Sequence, residues 1–186
     1  LYYGAIMRGV ALTAVPSPQL LDGLKLFQPT LLIAPPIFYE AVEKSIKAAL
    51  KRQPAPVLAL LSILTGFAGL LRPIAGGRLS AGLLRRVYGK AHAIFGGRIR
   101  VLVTGMAKIG QATLAFYQSI GLPLIQVYGL TECGVVCANT LSDNEIGTVG
   151  KPLPGNTISL AEDGEIFVRK AAPQTSRFFH FEASTE

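Results

Sequence analysis

The stretch of this 186-residue chain with the most chemistry in it is Tyr128-Gly129-Leu130-Thr131-Glu132. It brings together an aromatic face, a flexible glycine, a hydroxyl and a carboxylate. A Thr hydroxyl beside a Glu carboxylate supplies hard oxygen donors, which suit Mg²⁺ shared with the phosphates of a nucleotide. Glu132 is also the first acid after Glu43, so its charge stands alone in a long cationic stretch. A second segment, Thr104-Gly105-Met106-Ala107, follows another apolar run. The residue types alone leave a plainer reading open, in which Tyr128 to Glu132 is an ordinary strand-to-loop exit with Glu132 in water.

Both segments need elements to carry them. Thr30-Leu31-Leu32-Ile33-Ala34, closed by Pro35-Pro36, predicts a short buried strand that ends in a rigid turn. From Ile37 to Arg52, apolar residues recur at helical spacing with Lys44, Lys47 and Lys51 on the other side. Arg98 to Val103 is β-branched and alternates. Gln111 to Ile120 predicts a helix stopped by Gly121 and Pro123. Leu124 to Tyr128 predicts another buried strand, ending at Gly129. Thr157 to Leu160 and Glu165 to Val168, joined through Glu162-Asp163-Gly164, predict a hairpin. Strands interleaved with helices imply an α/β fold, a mainly parallel sheet with flanking helices plus a C-terminal β-hairpin. In such sheets ligands bind beyond the carboxyl ends of the strands, where both segments fall.

Composition narrows the function class. Half of the chain is hydrophobic, which excludes disorder, and two Cys exclude a disulfide scaffold and fit a reducing compartment. The net charge is +7, and residues 44–131 hold 12 Lys/Arg and no acid. That block attracts anionic lipid or nucleotide phosphates. Nucleic acid is not expected as a partner, because stacking aromatics are sparse among the cations and no zinc-finger, basic-zipper or single-strand-binding signature occurs. Within the block, Gln53 to Leu71 is uncharged, and after Pro56 about 15 residues can be helical, short of a bilayer span. Cations before and after it give the pattern of a helix lying on an anionic membrane surface, with a core helix as the alternative. No basic-then-apolar leader with a small-residue cleavage site is visible, so the expected location is cytoplasmic with peripheral membrane contact. His92 and His180 are expected to be structural. Cys133 and Cys137 lack further metal ligands nearby, and no Gly-x-Ser-x-Gly elbow is present.

Tyr128-Gly129-Leu130-Thr131-Glu132 resembles the Y-G-x-T-E motif of the adenylate-forming (AMP-binding) enzymes, the superfamily of acyl-CoA synthetases, luciferases and peptide-synthetase adenylation domains. The surrounding segments strengthen the resemblance. Phe95 to Gly105 is similar to the strand before that family's adenine loop, Gly147 to Gly155 to its "GtvGkplpg" segment, and Gly164 to Arg169 to its "GEi.vrG" segment. The basic, apolar insert, residues 53–92, is similar to the long-chain fatty acid–CoA ligase branch, whose members often sit on membranes. The resemblance implies that Gly105, Met106 and Ala107 line the adenine and acyl pocket and that Tyr128 stacks on adenine beside Gly129. It implies further that Thr131 contacts phosphates and Glu132 binds Mg²⁺. The implied reaction joins a fatty acid to ATP, giving acyl-AMP and pyrophosphate, and then passes the acyl group to CoA.

There are departures. Met106 and Lys108 stand where the family often has Gly and Pro, with the expectation that Met106 narrows the acyl tunnel or crowds the nucleotide. Lys170 stands where Gly is usual, and Arg177 to Ser184 echoes the family's pattern only faintly. The upstream Ser/Thr/Gly-rich phosphate loop, the downstream T-G-D, the hinge and the C-terminal domain with its Lys have no counterpart in the chain. Residues 1–186 therefore read as a partial adenylation domain, expected to be inactive by itself. The alternatives are a non-catalytic, truncated or diverged homologue that binds nucleotide or lipid, and a basic membrane-surface module.

Overall fold

The computed structural model describes residues 7–75, 82 and 84–170. His180 and the tail from Arg177 to Ser184 lie outside these residues.

After a 3₁₀ turn at Ser17–Gln19, helix α1 (Leu20–Phe27) leads into strand β1 (Leu31–Ile33) and helix α2 (Pro36–Lys51). Pro36 opens α2 at its first turn, where a missing N–H costs nothing and the fixed φ suits the helix. Tyr39, Val42 and Ile46 form its buried face. Helix α3 (Ala55–Ala75) follows, then the short α4 (Gly89–Ile94), β2 (Val101–Thr104), α5 (Gln111–Ser119) and β3 (Leu124–Leu130). The remainder is β4 (Gly134–Ala138), β5 (Lys151–Pro152) and the hairpin β6 (Asn156–Leu160) with β7 (Ile166–Lys170).

The sheet order is β1-β2-β3-β4-β5. β1 pairs with β2 and β2 with β3 in parallel, β4 runs antiparallel to both its neighbours, and four of the five strands therefore point the same way. The mainly parallel sheet and the separate C-terminal hairpin match the sequence reading. Two elements differ from it. Strand β3 continues past Gly129 to Leu130 and turns back as β4, which the sequence reading did not anticipate. Gly134-Val135-Val136-Cys137-Ala138 is a short apolar run opened by a glycine, but its pairing partner is the very strand it follows. Helix α3 runs to Ala75 rather than stopping near Leu71. A charged residue such as Arg72 ends an uncharged run in the sequence without ending a helix. Among the described residues no helix is long and apolar enough to cross a membrane.

The core lies between α2, α5 and one face of the sheet, where Leu32, Leu102 and Leu124 meet Tyr39, Phe95, Leu114 and Tyr117. Leu31 and Ile33 face the other side and are exposed. Tyr39 is fully buried, and its hydroxyl lies 3.2 Å from the Leu32 carbonyl and 3.0 Å from that of Val103. The Tyr117 hydroxyl donates to the Tyr39 carbonyl at 2.8 Å, and the two rings meet edge-on at 5.7 Å. Burial pushes both phenols well above the usual tyrosine range, so they stay protonated donors. Tyr39→Phe removes a donor from two strand-end carbonyls, and Val103 keeps a second partner in the Ala34 amide. The expected loss is about 1–2 kcal/mol of unfolding free energy, measured by urea denaturation with an unchanged m-value.

Candidate functional site

Strands β2 and β3 are parallel neighbours, with Thr104 in register with Gln126. Gly105-Met106-Ala107 therefore leaves the carboxyl end of β2 beside the stretch of β3 that runs on through Tyr128 to Leu130, and Thr131-Glu132 follows in the turn after it. Gly105 is buried, and a Cβ there would come within 2.9 Å of the Val127 side chain and 3.2 Å of its carbonyl oxygen. Only a residue without a side chain lets the first loop leave the sheet so close to β3. Thr104, just before it, is fully buried, and its hydroxyl has no hydrogen-bond partner among the described residues.

Tyr128 and Gly129 belong to strand β3 rather than to a loop. Tyr128 is half-buried and pairs with Cys137 of β4. The register slips between Tyr128 and Gly129, a bulge that bends the strand. A Cβ at Gly129 would collide with the carbonyl oxygen of Gly134 on the returning strand. The glycine of the motif is thus demanded by its own hairpin. Thr131, Glu132 and Cys133 make the turn. Thr131 is exposed, Glu132 is half-exposed, and neither side chain is engaged in a hydrogen bond or ion pair among the described residues. Two oxygen donors, free at the tip of a hairpin, fit the hard-donor chemistry of Mg²⁺. Among the described residues no three His, Cys, Asp or Glu side chains converge. A cation at Glu132 would have to share its shell with phosphate oxygens.

Met106 has φ of 67° and a side chain 81% exposed. Its bulk meets solvent, while its backbone holds the left-handed conformation that favours glycine. Ala107 and Lys108 are exposed as well. His92 is buried, with Nε2 3.0 Å from the Ile120 carbonyl, and burial holds its pKa below the usual histidine range. It packs α4 against the end of α5, away from the strand-end segments. Cys137 is buried in β4, and burial pushes its thiol up, away from the reactive thiolate.

Two residues that shape this region carried no role in the sequence reading. Asn139, buried at the end of β4, donates to the Thr148 carbonyl at 2.9 Å and accepts from the Glu145 amide at 3.2 Å, and so folds the loop that leads to Lys151. Lys170, the last residue of β7, donates to the Cys133 carbonyl at 2.6 Å. Their only signal in the sequence is position: an amide at a strand end, and a cation where a glycine is usual.

The profile of the family described as AMP-binding enzyme matches residues 1–172. The chain belongs to that family. It is 41% identical over 103 residues to a long-chain-fatty-acid–CoA ligase, FadD15, of Mycobacterium bovis, covering 55% of this chain and 17% of that protein. It is 34% identical over 144 residues to long-chain-fatty-acid–CoA ligase 2 of Schizosaccharomyces pombe, covering 73% of this chain and 20% of that protein. This AMP-binding chain thus spans a fifth or less of the length of these two relatives. Its fold is similar to that of the adenylation domain of a carboxylate reductase from Mycobacterium chelonae, with a TM-score of 0.52, 19% identity and coverage of 82% of this chain and 22% of that one. It is also similar to an anthranilate CoA ligase solved with anthranoyl-AMP, with a TM-score of 0.50, 16% identity and coverage of 88% and 26%.

The left-handed backbone at Met106 has a measurable cost. Met106→Gly relieves it and gives up almost no buried contact. The variant is expected to be more stable by about 0.5–1 kcal/mol after the added chain entropy of glycine is subtracted, read as a higher urea midpoint.

Proposed function

We propose that this chain is the central part of an ATP-dependent acyl-activating ligase whose substrate is a long-chain fatty acid. The observation that carries the reading is that Gly105-Met106-Ala107 leaves β2 beside the stretch of β3 that runs on through Tyr128 into the Thr131-Glu132 turn. The named fatty-acid–CoA ligases among its relatives support the substrate class. In this reading Tyr128 stacks on adenine. Gly105 to Ala107, with Gly129, leave backbone groups open to the nucleotide and the acyl chain. Thr131 donates to phosphate, and Glu132 holds Mg²⁺. Bound there, Mg²⁺ supplies neutralisation of the polyphosphate charge. The fatty-acid carboxylate oxygen attacks the α-phosphorus, the bond to pyrophosphate breaks, and acyl-AMP forms. The CoA sulfur then attacks the acyl carbon and AMP leaves. Positioning and charge do most of the work in such transfers. Residues 1–186 serve as a partial adenylation domain that depends on flanking sequence for its phosphate loop and C-terminal domain.

Peripheral membrane contact belongs to the same reading. Leu60, Ile63 and Phe67 recur along one side of α3 and are 56%, 67% and 53% exposed, while Thr65 is tied on another side to the Tyr88 hydroxyl at 2.8 Å. Lys51 and Arg52 stand exposed just before the helix. An apolar stripe beside cations suits an anionic lipid surface.

Two measurements test these points. Pyrophosphate release that depends on ATP and fatty acid is expected from the protein carrying its natural flanking sequence, and Glu132→Gln should slow it by about 10²-fold or more. Silence of the unmutated protein with every fatty acid would overturn the ligase reading. For the membrane, this chain should float with vesicles containing phosphatidylserine and release them as salt rises. Ile63→Ser with Phe67→Ser should weaken that flotation at every salt concentration, and equal binding to neutral vesicles would argue against the charge contribution.

A further inference from the structure

The turn that carries Thr131 and Glu132 is closed at its base by the pairing of Leu130 with Gly134. Neither side chain is engaged, and the strands that lead into it are slipped by a bulge. A further restraint comes from a distant part of the chain. Asn156 and Lys170 face each other at the open end of the β6–β7 hairpin. Both reach across to the main sheet: the Asn156 side chain donates to the Val136 carbonyl at 3.0 Å, and Lys170 Nζ donates to the Cys133 carbonyl at 2.6 Å. The hairpin end thus holds β4 at Val136 and the last residue of the turn at Cys133, whose carbonyl belongs to the peptide joining the turn to Gly134. Lys170 is half-buried, which shields this charge-assisted bond from water.

We propose that Lys170 is a positioning residue that clamps the Thr131-Glu132-Cys133 turn and so sets where the two oxygen donors stand. A glycine at this position could make no such bond. The departure from the family's usual residue therefore adds a restraint instead of eroding the site. The positioning role rests on the assignment of Thr131 and Glu132 to phosphate and Mg²⁺, whereas the clamp itself does not.

The experiment separates the two. Hydrogen exchange is followed on this chain without ligand. Lys170→Met should speed exchange across residues 130–135 by about tenfold or more, the factor expected for loss of one charge-assisted bond. Residues 101–104 should keep their protection. Lys170→Arg, which retains charge and donors, should restore most of it, and Lys170→Gln carries the test if the Met variant does not fold. Unchanged exchange across 130–135 overturns the clamp. In the protein with its natural flanking sequence, Lys170→Met should raise the Mg²⁺ concentration giving half-maximal pyrophosphate release several-fold, with Lys170→Arg near the unmutated value. A variant that loses rate with unaltered Mg²⁺ dependence overturns the positioning role, because simple destabilisation lowers the amount of active protein and not its Mg²⁺ requirement. An inactive unmutated protein would remove the ligase reading and the positioning role together, and the exchange result would still decide the clamp.

Discussion

The Tyr39 hydroxyl has no access to water and sits against two carbonyls at the carboxyl ends of β1 and β2. A buried phenol without a partner bears its full desolvation penalty, so this contact favours one height of α2 along the sheet. Tyr117 repeats the device one layer out, donating to the backbone of Tyr39 and packing edge-on against its ring. Phe38, Phe95 and Phe116 extend the edge-to-face cluster around the pair. The two helices that cover the sheet are thereby locked to the end of the strands from which the candidate site emerges.

From that anchor the site follows by geometry. Parallel pairing of β2 with β3 sends both strands toward the same edge, and the absence of a side chain at Gly105 lets the loop after β2 leave close against Val127 of the longer β3. The reversal of the chain at Thr131 to Cys133 then supports the second segment from its far side through β4. A hairpin tip presents oxygen donors without using them, which a helix N-terminus or a buried loop would not. The polar loop organised by Asn139 and the clasp of the β6–β7 hairpin complete the support, so residues far apart in sequence share one small region.

Two departures from the family's usual residues have opposite physical meanings. Met106 holds a left-handed backbone that favours glycine, the family's frequent residue there, and carries it as strain with its side chain in solvent. Lys170 uses its length to reach a carbonyl that no shorter residue at that place could reach. Counting both as erosion treats unlike changes as equal. One weakens local stability, whereas the other adds a bond between the β6–β7 hairpin and the turn before β4.

Much of the fold was legible in the sequence because it rests on local pattern. The helical spacing of Ile37, Phe38, Val42, Ile46, Ala49 and Leu50 marks α2, the β-branched run before Thr104 marks β2, and Glu162-Asp163-Gly164 marks the hairpin turn. The motif Tyr128 to Glu132 was legible in the same way, by residue type and by its place after an apolar run. Helix α3 was seen but cut short, since its end is not a matter of charge. Strand β4 was missed because Gly134 to Ala138 acquires its meaning only from the strand beside it. Gly129 read as flexible until the opposing Gly134 carbonyl showed that it is a close contact. Lys170 read as a mismatch until the Cys133 carbonyl stood 2.6 Å from its ammonium. Periodicity and turn chemistry are properties of neighbours along the chain, and they determined the elements. Which elements touch is settled by burial and pairing across distances of up to 78 residues, as between Tyr39 and Tyr117, and the tertiary structure alone decided that.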